Sequence, residues 1–170
     1  MRVEVVSVVV HPDYNSPSLH DNDIAVIKVK SVGTELCTEN KVWPACYPSP
    51  DEDYAAEPDT EIVGWGGSVE GGGVEEILMK SQVVTVSNRE CGGVMGPERI
   101  TENMICAGSA GTDTCQGDSG GPLTTRTQGE TVWSVIGITS WGDGCARPGT
   151  YGVYTRLSRY LPWIQQQVLL

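Results

Sequence analysis

Cys115-Gln116-Gly117-Asp118-Ser119-Gly120-Gly121-Pro122 is the stretch on which the reading of this chain turns. A serine stands among glycines, with an acid directly before it and a cysteine upstream. Glycines on either side of a serine let the backbone bend sharply and leave the hydroxyl unobstructed. They also let consecutive N–H groups point into one small space, the arrangement that stabilises a tetrahedral oxyanion. Gly-Gly-Pro alone would be an ordinary turn with an incidental serine. The whole octapeptide points to a nucleophile.

Working outward, Gly117-Asp118-Ser119-Gly120-Gly121 formally satisfies G-x-S-x-G, the nucleophile elbow of α/β-hydrolases. That elbow needs a strand–turn–helix context and the chain order serine, acid, histidine. Here Pro122 and a β-like run follow the serine, and the only histidines, His11 and His20, precede it. The elbow is excluded on both counts. The octapeptide resembles instead the GDSGGP signature of trypsin-like serine proteases of the chymotrypsin fold. The resemblance runs over nearly the whole chain, through His11-Pro12-Asp13-Tyr14, Asp23-Ile24-Ala25-Val26, Gly64-Trp65-Gly66, Met104-Ile105-Cys106-Ala107-Gly108, Ser140-Trp141-Gly142 and Gly152-Val153-Tyr154-Thr155.

Bulk properties agree with an all-β fold. The 170 residues suffice for one good core. Short Val/Ile/Thr runs separated by Gly/Pro/Asn/Asp turns indicate a sandwich or barrel. A net charge of −11 disfavours nucleic acid and anionic membrane and would attract a basic peptide, although it serves equally as a solvated surface. No apolar run is long enough to span a bilayer, and the first residues lack signal-peptide form. Six cysteines are an even count, as a disulfide framework in an oxidising, extracellular compartment requires. No C-x-x-C pair marks a zinc site. No Asn-x-Ser/Thr acceptor is present, since Pro17 follows Asn15-Ser16.

Taken in order, Val3–Val10 reads as a strand ended by His11-Pro12-Asp13, with turn chemistry through Pro17. Asp23 opens a second strand, Ile24–Val29. By itself Asp23 is a strand-start carboxylate, and Asp21 and Asn22 are likewise strand-start polar residues; the resemblance makes Asp23 the triad acid that orients an imidazole. Neither histidine lies in the motif that carries the family's general base. His11 belongs to the His-Pro turn, His20 to the loop before Asp23, and the 170 residues contain no Ala-Ala-His-Cys segment. They also lack the Ile/Val-Val-Gly-Gly start that activation exposes. The resemblance therefore implies that residues 1–46 are a remnant of the N-terminal barrel, 47–59 an inter-barrel linker, 60–157 the C-terminal barrel and 158–170 a closing helix. With the neighbours of Val3–Val10 missing, the strand leaves an apolar edge that invites intermolecular pairing and poor solubility.

Further strands are expected over Ile62–Gly66, Ile77–Val86, Val132–Ser140 and Gly152–Leu157, with Gly67–Gly73 a flexible loop open to proteolysis. Ser87-Asn88-Arg89-Glu90 has capping-box form, so a short helix should carry Cys91. Ser158 could cap the last helix, with Leu161, Ile164 and Val168 on one core-facing side. The resemblance pairs Cys91 with Cys106 and Cys115 with Cys145. A local Cys37–Cys46 bridge is also plausible. A further family bridge joins positions occupied here by Thr60 and Thr125, so it is lost as a unit.

The resemblance also assigns the site. Ser119 is the nucleophile, Asp23 the acid, and the Gly117 and Ser119 amides the oxyanion hole. Asp118 pairs with the ammonium freed by activation. Asp113, six residues before the serine, sits at the bottom of a slot that takes Arg or Lys, because a desolvated carboxylate needs a cation. Thr114, Gln116, Gly142 and Gly152 line that slot. Ser140 supports the acid, and Ser140-Trp141-Gly142 pairs with substrate as an added strand. Tyr151 marks either a monovalent-cation site, usually sodium, or plain aromatic packing. No cofactor and no catalytic metal are called for; the partners are peptides or proteins bearing Arg/Lys, and protein protease inhibitors. The reading is a secreted endopeptidase whose polypeptide, taken alone, is inactive for want of a base. The rival is a non-catalytic protease homologue that binds partners through its groove, and retention of Ser119, Asp118 and Asp113 favours the enzyme. A structural β-module would explain the disulfides but not Asp113 with Ser119.

Overall fold

The computed structural model describes residues 3–30, 43–50, 52–109, 111–126 and 132–168. Its centre is a closed barrel. The strands are β3 (Thr60–Gly64), β4 (Met79–Val86), β5 (Met104–Gly108), β6 (Pro122–Thr125), β7 (Ser134–Gly142) and β8 (Gly152–Arg156), joined all-antiparallel in the order β3-β4-β5-β8-β7-β6. Closure pairs β3 with β6, which sets Thr60 directly opposite Thr125. The two threonines expected in place of a disulfide are thus cross-strand neighbours, both buried, each donating its hydroxyl to a backbone carbonyl (Val83 and Asp59).

Alternating residues fill the barrel: Ile62, Val83, Ile105, Leu123, Ile136 and Tyr154 form one cluster. β8 is buried along its whole length because both of its faces are covered. Tyr154 points into the barrel, whereas Val153 joins Cys91, Met95, Met104 and Cys106 under the short helix α1 (Asn88–Met95). Ser87 caps α1 by accepting the Glu90 N–H at 3.2 Å. The carboxylate of Glu90 accepts from the Tyr151 hydroxyl at 2.8 Å instead of turning back to the cap, so one arm of the expected capping box is diverted. The Cys91–Cys106 bridge then ties α1 to β5.

Before the barrel, β1 (Val5–Val10) and β2 (Ala25–Val29) make a two-stranded antiparallel sheet with Val8 opposite Ile27. Its side chains are exposed on both faces, Val6 at 61% and Ile27 at 59%. The crossing between sheet and barrel, expected to lie on the surface, is in part core. Tyr54 is buried within the barrel cluster, its hydroxyl accepting the Ser49 N–H at 2.6 Å. The buried guanidinium of Arg156 grips this segment at the Asp53 carbonyl, and also holds the Met104 carbonyl at 3.0 Å and Asn88 at 2.9 Å.

The chain closes with a 3-10 turn, Leu157–Tyr160, followed by helix α2, Leu161–Val168. Ser158 is buried inside the turn and does not cap α2. Val168 is 64% exposed, so it is not core; Ile164 and Trp163 pack against Ile24, Leu157 and Tyr160 instead. The 3-10 turn rotates the start of α2 and thereby changes the face presented to the barrel. Cys115–Cys145 is formed as expected. Cys37 lies outside the described residues, so the Cys37–Cys46 expectation does too.

Candidate active site

The nucleophile turn sits between β5 and β6 and is bent by two residues in the left-handed region, Gly117 (φ +103) and Gly120 (φ +81). A side chain at either would strain the backbone. Among the described residues, the turn's backbone hydrogen bonds use the amides of Asp118, Gly120 and Gly121, and those of Gly117 and Ser119 are not among them. The Gln116 carbonyl accepts the Gly67 N–H at 3.0 Å. Since a trans peptide places C=O and N–H on opposite sides, this bond turns the Gly117 amide the other way. Ser119 itself is exposed.

Asp118 is fixed by two backbone donors, Gly66 N–H at 2.7 Å and Cys115 N–H at 3.0 Å. Gly66 permits this approach, because a Cβ there would collide with the carboxylate.

Asp23 lies just before β2, which starts at Ala25. Ser140 on β7 donates to Asp23 Oδ2 at 2.6 Å, and Thr155 on β8 donates to the Asp23 carbonyl at 2.6 Å. The flanking residues are gripped as well. Asn103 donates to Asp21 Oδ1 at 3.0 Å, and the Tyr160 hydroxyl donates to Asn22 at 3.0 Å. Asp21, only 1% exposed, is a buried anchor and not the exposed strand-start carboxylate its neighbours suggest. Among the described hydrogen bonds none joins either histidine to Asp23 or Ser119. His11 packs against Tyr160 and Trp163 at ring distances of 5.5 and 4.8 Å, and His20 stacks on Trp141 at 5.7 Å.

A cavity of about 180 Å³ opens beside Ser119, lined by Thr114, Gln116, Ser140, Trp141, Gly142 and Gly152. The Asp113 carboxylate lies against Gly152 of this cavity, where any Cβ would strike its Oδ1, and lines an adjoining cavity of about 410 Å³ that shares Thr114, Cys115 and Cys145 with the first. Oδ1 accepts the Thr114 N–H at 2.8 Å and Oδ2 the Ala146 N–H at 3.2 Å. Burial still outweighs these bonds and pushes the carboxyl above its usual range. Under it, the buried Tyr154 hydroxyl meets Thr114 at 3.2 Å.

Comparison with known proteins gives the frame for this geometry. Residues 1–164 match the trypsin family model. The chain is 39% identical to trypsin-1 of Astacus astacus over 96% of its own length and 66% of that protein's. It is 37% identical to serine protease 56 of Mus musculus, covering 98% of the chain and 28% of that protein. With transmembrane protease serine 11C of Mus musculus the identity is 38%, over 94% of the chain and 37% of that protein. The chain belongs to the trypsin family. It spans two thirds or less of the length of these relatives.

Within the trypsin family frame, the segments singled out in the sequence converge: Ser119, Asp23 with Ser140, Gly142 with Gly152, and Asp113 one wall away. Tyr151 donates to Glu90 at 2.8 Å and packs beside the α1 cluster. Among the described residues no group of three or more His, Cys, Asp or Glu is disposed to hold a metal ion. Thr155, Asn103 and Asp21 were missed as supports of the acid. Their bonds join residues as much as 132 positions apart, and no local pattern carries that signal.

Proposed function

We propose that this trypsin-family chain carries the nucleophile, acid and specificity half of a serine endopeptidase that cuts after Arg or Lys. Ser119 Oγ attacks the peptide carbonyl, giving a tetrahedral oxyanion held by the Gly117 and Ser119 amides, and collapse expels the amine to leave an acyl-enzyme that water hydrolyses. An imidazole seated on Asp23 takes the serine proton and returns it to the leaving amine. Asp113 receives the substrate guanidinium or ammonium through the gap that Gly142 and Gly152 leave. Peptide or protein substrates, protein inhibitors and a secreted location follow from this reading; no helix of the described residues is long and apolar enough to cross a membrane.

The observation that carries the proposal is the 2.6 Å bond from Ser140 to Asp23. It aims the carboxylate of Asp23, just before β2, at the barrel that holds Ser119. The positions of His11 and His20 favour one qualification: the 170 residues by themselves do not activate Ser119. Without a base the serine is an ordinary alcohol, and loss of a triad costs on the order of a million-fold in subtilisin, an unrelated fold. A fluorophosphonate probe should leave Ser119 unlabelled in the isolated chain, and mass-spectrometric detection of the Ser119 adduct would overturn this point. The same qualification sustains a second reading, a binding module that holds Arg-containing peptides without cutting them. Turnover of an Arg ester after an imidazole is supplied in trans decides for the enzyme.

A further inference from the structure

The loop 67–73 begins and ends beside the nucleophile turn, and its first residues are part of that turn's support. Gly66 N–H binds the Asp118 carboxylate and Gly67 N–H binds the Gln116 carbonyl, at 2.7 and 3.0 Å. At the far end of the loop, Glu70 receives Arg147 through both Nε, at 2.8 Å, and Nη2. Arg147 belongs to the segment after Cys145, whose Ala146 N–H supports Asp113 at 3.2 Å. Glu70 and Ala146 face the same cavity, with Asp113 and Asp118 on its walls. Two loops that each hold one site carboxylate are therefore joined by one two-pronged ion pair. Among the described ion pairs no other connects them.

We propose that Glu70–Arg147 is a positioning pair that couples the Asp113 pocket to the oxyanion turn. The inference rests on the trypsin-like reading and names a regulator of the same site. The loop is rich in glycine, including Gly71, Gly72 and Gly73, and so has little stiffness of its own. Its tip is held by a forked guanidinium–carboxylate contact, the geometry in which such pairs are strongest. When the pair opens, Gly66 and Gly67 are held only by the acceptors they serve. The Gln116 carbonyl is then free to turn, and the Gly117 amide turns with it. Opening also removes one tie on the segment that carries Ala146, which stays anchored through the Cys115–Cys145 bridge, so both halves of the site loosen together.

The test uses the full 170-residue chain, dilute, with benzamidine as a small amidinium probe of the Asp113 pocket. Glu70→Gln and Arg147→Gln should each weaken benzamidine about two- to fivefold, the range of an exposed pair. The double variant should lose no more than either single one. Glu70→Arg combined with Arg147→Glu, which restores the pair with reversed polarity, should recover the affinity. In parallel, hydrogen exchange at the Gly66 and Gly67 amides should quicken in both single variants and slow again in the swapped pair. Losses that add independently, or amides that exchange as in the parent chain, overturn the coupling. Should a single variant lose its cooperative melt, the swapped chain arbitrates: recovery supports the pair and no recovery overturns it. If the parent chain takes no benzamidine, the Arg/Lys reading falls, and amide exchange alone decides the strap.

Discussion

Asp113 carries a burial cost that its proposed role would relieve. Its carboxylate is desolvated and receives only two amide donors, so burial raises its pKa above the ordinary value of 3.8. A group raised in the folded state binds its proton more readily there than in the unfolded chain. The stabilisation tied to that proton is present at low pH and is lost as pH rises through the folded-state pKa. At neutral pH the buried charge is a liability that an amidinium relieves. Benzamidine should therefore bind the ionised form, with affinity level near neutrality and falling about tenfold per pH unit below the raised pKa. The fall should start at a higher pH than an exposed carboxylate would give. Titration calorimetry across pH measures it, and an affinity that stays flat down to about pH 4 would remove Asp113 from the pocket. The type and rough place of this residue were legible because Thr112-Asp113-Thr114-Cys115 lies within a few positions of Ser119. Its exact facing was not, because that depends on the Ala146 amide, 33 residues further on.

Among the elements, α1 shows what local sequence can and cannot specify. Ser87 as the cap was readable from Ser-x-x-Glu, because the accepting hydroxyl and the donating Glu90 N–H are three residues apart. The destination of the Glu90 side chain was not, because Tyr151 is 61 residues away. Four barrel strands, β3, β4, β7 and β8, were readable from their Val/Ile/Thr runs to within two residues, and β6 only as a β-like run from Pro122; β5, MICAG, carries no such run. β8 departed from simple alternation because the barrel interior and the α1 cluster cover opposite faces of it. The cap is a direct test of how tightly α1 is coupled to the barrel. Ser87→Ala removes one acceptor from the helix N-terminus and should cost about 1 kcal/mol. Because Cys91 on α1 is bonded to Cys106 on β5, the cost should appear in the single global transition and not as local fraying. In urea the midpoint should fall with the slope unchanged. An unchanged midpoint would show that the disulfide alone holds the helix.

At the scale of the whole molecule, Asp21, Asn22 and Asp23 are fastened to Asn103, Tyr160, Ser140 and Thr155 of the barrel side, with Ile24, His11 and His20 packed around them. Beyond that junction the β1–β2 sheet stands apart. β1 is VVSVVV and β2 is AVIKV, so Lys28 is the one charged residue of the two strands, and just beyond them Lys30 pairs with Glu4 at 3.3 Å. A two-stranded sheet is marginal in water by itself, and its unpaired edges are templates for another strand. The charge of the rest of the chain works against association, since the total is −11. The two effects respond oppositely to salt. Screening weakens the repulsion between copies while leaving apolar contact intact, so self-association should strengthen as salt is raised, the reverse of an association driven by opposite charges. Val8 and Ile27 face each other across the sheet and are 56% and 59% exposed. Replacing both with lysine puts like charges on one face and should yield a monomer at concentrations where the parent chain assembles. Barrel integrity is checked by near-UV circular dichroism, because the substituted positions lie outside the barrel core. Sedimentation velocity distinguishes the outcomes: a parent chain that stays monomeric from low to high salt would mean that the exposed valines do not pair, and that the sheet is stable without a neighbour.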